Sequence, residues 1–186
     1  MNEKMNFNGY IPYLNTLKQF LHSVQDSAHP CDVCVVGSLA LARLGLDAVV
    51  QPHDIDIEMV CDDAMESRLR LLAESQGSVF HTVTSGASYP RDAERYMERV
   101  TWKHKPYIFK WGGTLINVWA VSAISHRYIQ DSEGLKWAVV GSVLDRKCAY
   151  RRVKDYAFIQ SVIRWLIGFM DRQPTTNKID NSNEKK

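Results

Sequence analysis

Asp54, Asp56 and Glu58 alternate with Ile55, Ile57 and Met59. On a strand, side chains two residues apart point the same way, so the three carboxylates share one face and the apolar residues the other. Two Asp at this spacing have Cα atoms about 6.5–7 Å apart. Their oxygens can converge on divalent cations held about 3.5–4 Å apart. Mg²⁺ suits such a place, because it binds through one or two carboxylates and takes substrate phosphates to complete its octahedron. Like charges this close would repel without a cation, which is a second reason to expect one. The plainer alternative is a solvated acidic strand face.

What precedes these carboxylates raises the metal reading above the plain one. Val33 to Val36 form a short apolar run, and Gly37-Ser38 follows it. Glycine after a strand lets a ligand come close to the backbone. Ser38 opens an expected helix whose first N–H groups are unpaired and partly positive, a seat for phosphate. The nucleophile motif of haloacid-dehalogenase-like phosphatases also contains Asp-x-Asp, but it needs an apolar strand before its first Asp. Gln51-Pro52-His53 stand there instead.

The elements that must position these residues follow from periodicity. Residues 13–24 carry Leu14, Leu17, Phe20, Leu21 and Val24 at helical spacing, and His29-Pro30 interrupts the chain after them. Strands are expected at 32–36, 55–60, 79–83, 96–102, 107–111 and 115–121. Gly112-Gly113 marks a two-residue hairpin between the last two. Helices are expected at 39–44, stopped by Gly45, and at 64–75, stopped by Gly77. Residues 84–90 read as a loop. From Gly134 onward the pattern turns helical, at 135–140, 143–151 and 153–170. The expected fold is α/β (α+β), a mixed sheet flanked by helices with a C-terminal helical cap. Residues 1–125 would form the core and 126–172 a helical segment packed on it. Residues 173–186 would be a mobile tail.

An apolar strand, Gly37-Ser38, a helix and then the Asp54-Ile55-Asp56 strand together resemble the polymerase-β-like nucleotidyltransferase superfamily. Lys147, Arg152, Lys154-Asp155 and Phe158-Ile159 are similar to the C-terminal helical motif of its AbiEii-like, toxin-type members. The resemblance spans residues 33–163. It implies that Gly37 and Ser38 hold the triphosphate of an NTP and that Asp54 and Asp56 bind Mg²⁺ or Mn²⁺. Lys147 would neutralise phosphate charge, and Asp155 would orient that lysine or the acceptor. A hydroxyl on RNA, protein or a small molecule would then receive a nucleoside monophosphate. Two positions depart from the pattern. The third carboxylate of active members falls at Asn117, which can neither take a proton nor bring charge to a second metal. Phe158 stands where a further Asp is frequent. Glu58 is the residue at hand to compensate. A non-catalytic nucleotide- or partner-binding domain of the same fold is the alternative.

Bulk properties set the bounds. The 186 residues suit one compact domain, with 45% apolar and 10% aromatic residues to build a core. A net charge of +2 does not by itself indicate nucleic acid. No stretch reaches the roughly 18 apolar residues of a membrane span. Residues 1–10 lack a signal-peptide core, so a cytoplasmic protein with no membrane partner is expected. Cys31 and Cys34 form a C-x-x-C pair, but it adjoins an apolar run with no second pair at ligand spacing, which favours incidental thiols. The basic and aromatic residues of 91–110 could line a groove for RNA or nucleotide phosphates, but Asp92, Glu94 and Glu98 dilute them and favour a solvated sheet edge. Arg146, Lys147, Arg151, Arg152 and Lys154 read as a candidate phosphate cluster. His53, His81, His104 and His126 read as structural, and Trp111, Trp119, Trp137 and Trp165 as core.

Overall fold

The computed structural model describes residues 9–25, 31–46, 50–75, 106–150 and 153–171. The strands expected at 79–83 and 96–102, the loop at 84–90 and the tail lie outside them.

Helix α1 (Ile11–Val24) begins with Pro12 in its first turn, where a missing N–H costs nothing. It buries Leu17, Phe20 and Val24 on one side. Strand β1 (Val33–Val36) is buried throughout and leads directly into the short helix α2 (Gly37–Leu41). A π-helical turn continues from Ala42 to Leu46, with Gly45 inside it at φ 89°, so the helix loses regularity near the expected stop. Strand β2 (Asp54–Val60) follows, then α3 (Asp63–Ser75). The Asp62 carboxylate caps α3 by accepting from the Met65 N–H at 2.8 Å. Strands β3 (Tyr107–Trp111) and β4 (Thr114–Val121) form the hairpin read from the glycine pair. Gly112 and Gly113 take φ 53° and 84°, the two positive angles that a two-residue turn of this hand requires.

The region after residue 125 differs from expectation. Residues 128–130 and 136–138 are strands β5 (Tyr128–Gln130) and β6 (Lys136–Ala138), so the helix expected at 135–140 is a strand instead. The helices that follow are α4 (Val140–Tyr150) and α5 (Val153–Asp171). A short apolar run has no period long enough to separate strand from helix. Here the turn and the pairing edge decide. Asp131 Oδ1 accepts from the Glu133 and Leu135 N–H groups, both at 3.0 Å, and its Oδ2 accepts from Trp137 Nε1 at 2.8 Å. Strand β6 then pairs parallel to β1 and antiparallel to β5. Trp137 is fully buried, with Arg43 stacked over its ring at 4.5 Å.

The six strands lie in the order β3-β4-β2-β1-β6-β5. Strand β2 sits between antiparallel β1 and parallel β4. One sheet face takes Ile55, Ile57, Ile116, Val118 and Phe109, all buried. Helix α1 covers it, with Phe20 packed on Phe109 at 4.9 Å. Helix α3 reaches the same face, where the Tyr107 hydroxyl donates to Glu66 at 3.1 Å. Strand alternation leaves Asp54, Asp56, Glu58 and Asn117 on the opposite face. Among the described residues no helix is long and apolar enough to cross a membrane.

Candidate functional site

Register fixes what lies beside the carboxylates. Asp56 stands between Val36 on β1 and Asn117 on β4. The chain therefore turns into α2 at Gly37 immediately beside Asp56. Gly37 has φ 68°, and a Cβ there would lie 2.6 Å from Asp56 Oδ2. A side chain there would be strained by the left-handed backbone, and its Cβ would have to push the Asp56 carboxylate aside. Ser38, partly buried, follows as the next residue of α2. The structure thus brings together Gly37, Ser38, Asp54 and Asp56, as the sequence suggested.

Asn117 does something the sequence did not reveal. Its Nδ2 donates to Asp56 Oδ1 at 2.8 Å and to Asp54 Oδ2 at 3.1 Å. The repulsion that pointed to a cation is relieved by this amide, so the paired Asp residues do not by themselves require a metal. Among the described residues no three His, Cys, Asp or Glu side chains converge as a metal-binding set. Two carboxylates beside a glycine cradle fit a cation that brings its other ligands with it, as phosphates and waters.

Glu58 shares the face but not the role. It is fully buried. One oxygen accepts from the Ser125 N–H at 2.9 Å and the other from the Ser125 hydroxyl. Arg146 Nη2 donates to Glu58 Oε1 at 3.3 Å and to Ser125 Oγ at 2.5 Å. His126 Nδ1 lies 3.0 Å from Oε1, buried and out of line for a good hydrogen bond. Burial alone would raise the Glu58 carboxyl. The contacts with His126, then those with Ser125, outweigh burial and hold it at about 2. A carboxylate held so firmly ionised is a poor base at neutral pH. Glu58 is an anchor: it ties β2 to the segment after β4 and to α4, and it is not available as the compensating base that its place on the acidic face suggested.

Arg146 therefore belongs to this buried network rather than to a solvent-facing phosphate cluster. Its neighbour Lys147 faces α5, with Nζ 3.5 Å from buried Asp155 and 4.3 Å from the centre of the Phe158 ring. Lys147 and Asp155 thus form an ion pair, and Phe158 packs against the lysine. The side chains of Arg151, Arg152 and Lys154 lie outside the described residues.

The cysteines are in no disulfide. Burial, then the charge of Glu58, pushes the Cys34 thiol up to about 12. The thiolate is the reactive and metal-binding form, so Cys34 is chemically quiet at neutral pH. His53 is exposed beside the site. Of the tryptophans described, Trp137 is fully buried, and Trp111, Trp119 and Trp165 are partly so.

Comparisons of the chain with family models, with curated proteins and with solved structures found no match.

Proposed function

We propose that the protein is a nucleotidyltransferase-type domain. It holds an NTP with Mg²⁺ or Mn²⁺ at Asp54 and Asp56 and passes the nucleoside monophosphate to a hydroxyl on RNA, protein or a small molecule. One observation carries the reading: a glycine in the left-handed conformation turns the chain directly against a carboxylate pair on the central strand. A cation held there would offset charge on the α-phosphate and on departing pyrophosphate. Gly37 keeps the backbone clear for the phosphates, and Ser38 offers a hydroxyl and an N–H. Lys147, steadied by Asp155, contributes positive charge from α4. The acceptor oxygen bonds to the α-phosphorus as the bond to the β-phosphate oxygen breaks. The hydroxyl proton leaves to solvent, because Asn117 cannot take it.

A second reading, a non-catalytic nucleotide- or partner-binding domain of the same type, is favoured by the Asn117 amide between the two carboxylates. Calorimetry with ATP, CTP, GTP and UTP tests the site. Binding of at least one should strengthen with Mg²⁺, and Asp54→Ala/Asp56→Ala should remove that enhancement while circular dichroism remains unchanged. Equal binding by the double variant would end the assignment. Following labelled α-phosphate into RNA, protein and the chain itself separates the two readings. Tight NTP binding without label transfer selects the second.

A further inference from the structure

A two-cation site gathers four positive charges within about 3.5–4 Å. Charge of that density needs anionic oxygen ligands around both ions, and a neutral amide brings no charge. In this chain the neighbouring strand supplies an amide. Asn117 is held in register beside Asp56, on a strand paired along both edges. Its NH₂ group has two hydrogens, and each is directed at a different aspartate. The reverse orientation would set the amide oxygen against two carboxylates, acceptor against acceptor. The NH₂ group thus bridges the two carboxylates as a cation would, but it adds no charge and cannot be displaced along the strand.

We infer that this site accepts one divalent cation, the one carried on the phosphates of the nucleotide, and that Asn117 denies a place to a second. The inference rests on the nucleotide reading above and makes it more specific. A single cation suffices to seat a triphosphate on Asp54 and Asp56. A second cation would help activate an acceptor oxygen. Without it, the chain holds its nucleotide far better than it transfers it.

Counting bound Mn²⁺ on the full chain by electron paramagnetic resonance tests this, with and without a non-hydrolysable analogue of each NTP. The wild type should bind one Mn²⁺ per chain with the preferred analogue, more than about tenfold tighter than Mn²⁺ alone. Asn117→Asp should bind two, with the exchange-coupled spectrum of neighbouring ions. Two ions on the wild type would overturn the inference and leave the nucleotide reading standing. A single ion on a folded Asn117→Asp would also overturn it, since something else would then set the count. Should that variant not fold, the wild-type count decides alone. A wild type that binds neither Mn²⁺ nor any analogue removes the nucleotide reading, and this inference with it.

Discussion

The acidic face of β2 has two ends that look alike in sequence and behave as opposites. At one end, Asp54 and Asp56 are partly exposed, share the hydrogens of one neutral amide and lie against a left-handed glycine. At the other, Glu58 is sealed from solvent and bonded by Ser125 and Arg146 with His126 alongside. The same residue chemistry, two positions along one strand, yields a place open to a ligand and a place closed to everything. The difference is coverage: α4 lands on Glu58 through Arg146. A carboxylate becomes a site when partners leave its oxygens reachable, and a structural pin when partners surround it.

The sharpest way to break the comparison is at the closed end. Glu58→Ala removes the buried carboxylate on which Arg146 and Ser125 converge. Loss of one partner from a buried ion pair costs about 3–5 kcal/mol, to be read from urea unfolding. Acid should reveal the same anchor. The folded value of Glu58 is depressed, from an ordinary 4.5 to about 2. Its contribution to stability is therefore complete above about 4.5 and drains away as pH falls toward about 2. Glu58→Gln should flatten that part of the stability–pH curve. An unchanged acid limb would show that the pin lies elsewhere.

At the open end the effects should move from folding to binding. Gly37→Val forces a β-branched residue to φ 68° and a Cβ to within 2.6 Å of Asp56 Oδ2. Backbone strain of this kind costs about 1–3 kcal/mol, and Mg²⁺–NTP binding should be lost in calorimetry although the chain still folds. Normal nucleotide binding by this variant would put the phosphates elsewhere. The smallest change is Ser38→Ala, which removes one hydroxyl. Affinity should fall by about 0.5–1.5 kcal/mol, with unfolding unchanged. A stability loss equal to that of Glu58→Ala would erase the distinction between the two ends.

Legibility in the sequence followed the range of the interactions involved. The helix at Ile11–Val24, the strand at Asp54–Val60, the glycine hairpin and the Gly37-Ser38 turn are written in neighbouring residues, and each could be read. The β5–β6 hairpin was missed although Asp131 and Gly134 mark its turn, because a three-residue strand has too few residues to show a period. The Glu58 network was not readable at all. Its partners stand 67 and 88 residues away, and nothing local to Ser125 or Arg146 announces them.

The sequence by itself determined the ingredients of the candidate site: two carboxylates on one strand face, a glycine before a helix, and an asparagine on a later strand. Strand alternation and the conformational range of glycine act within a few residues, so no tertiary contact is needed to foresee them. Only the tertiary structure decided what each acidic residue does. It set Asn117 in register with Asp56, 61 residues away, and it lowered α4 onto Glu58. Charge and hydrogen bonding depend on which groups meet in space, and sheet order and helix docking, not spacing along the chain, set those meetings.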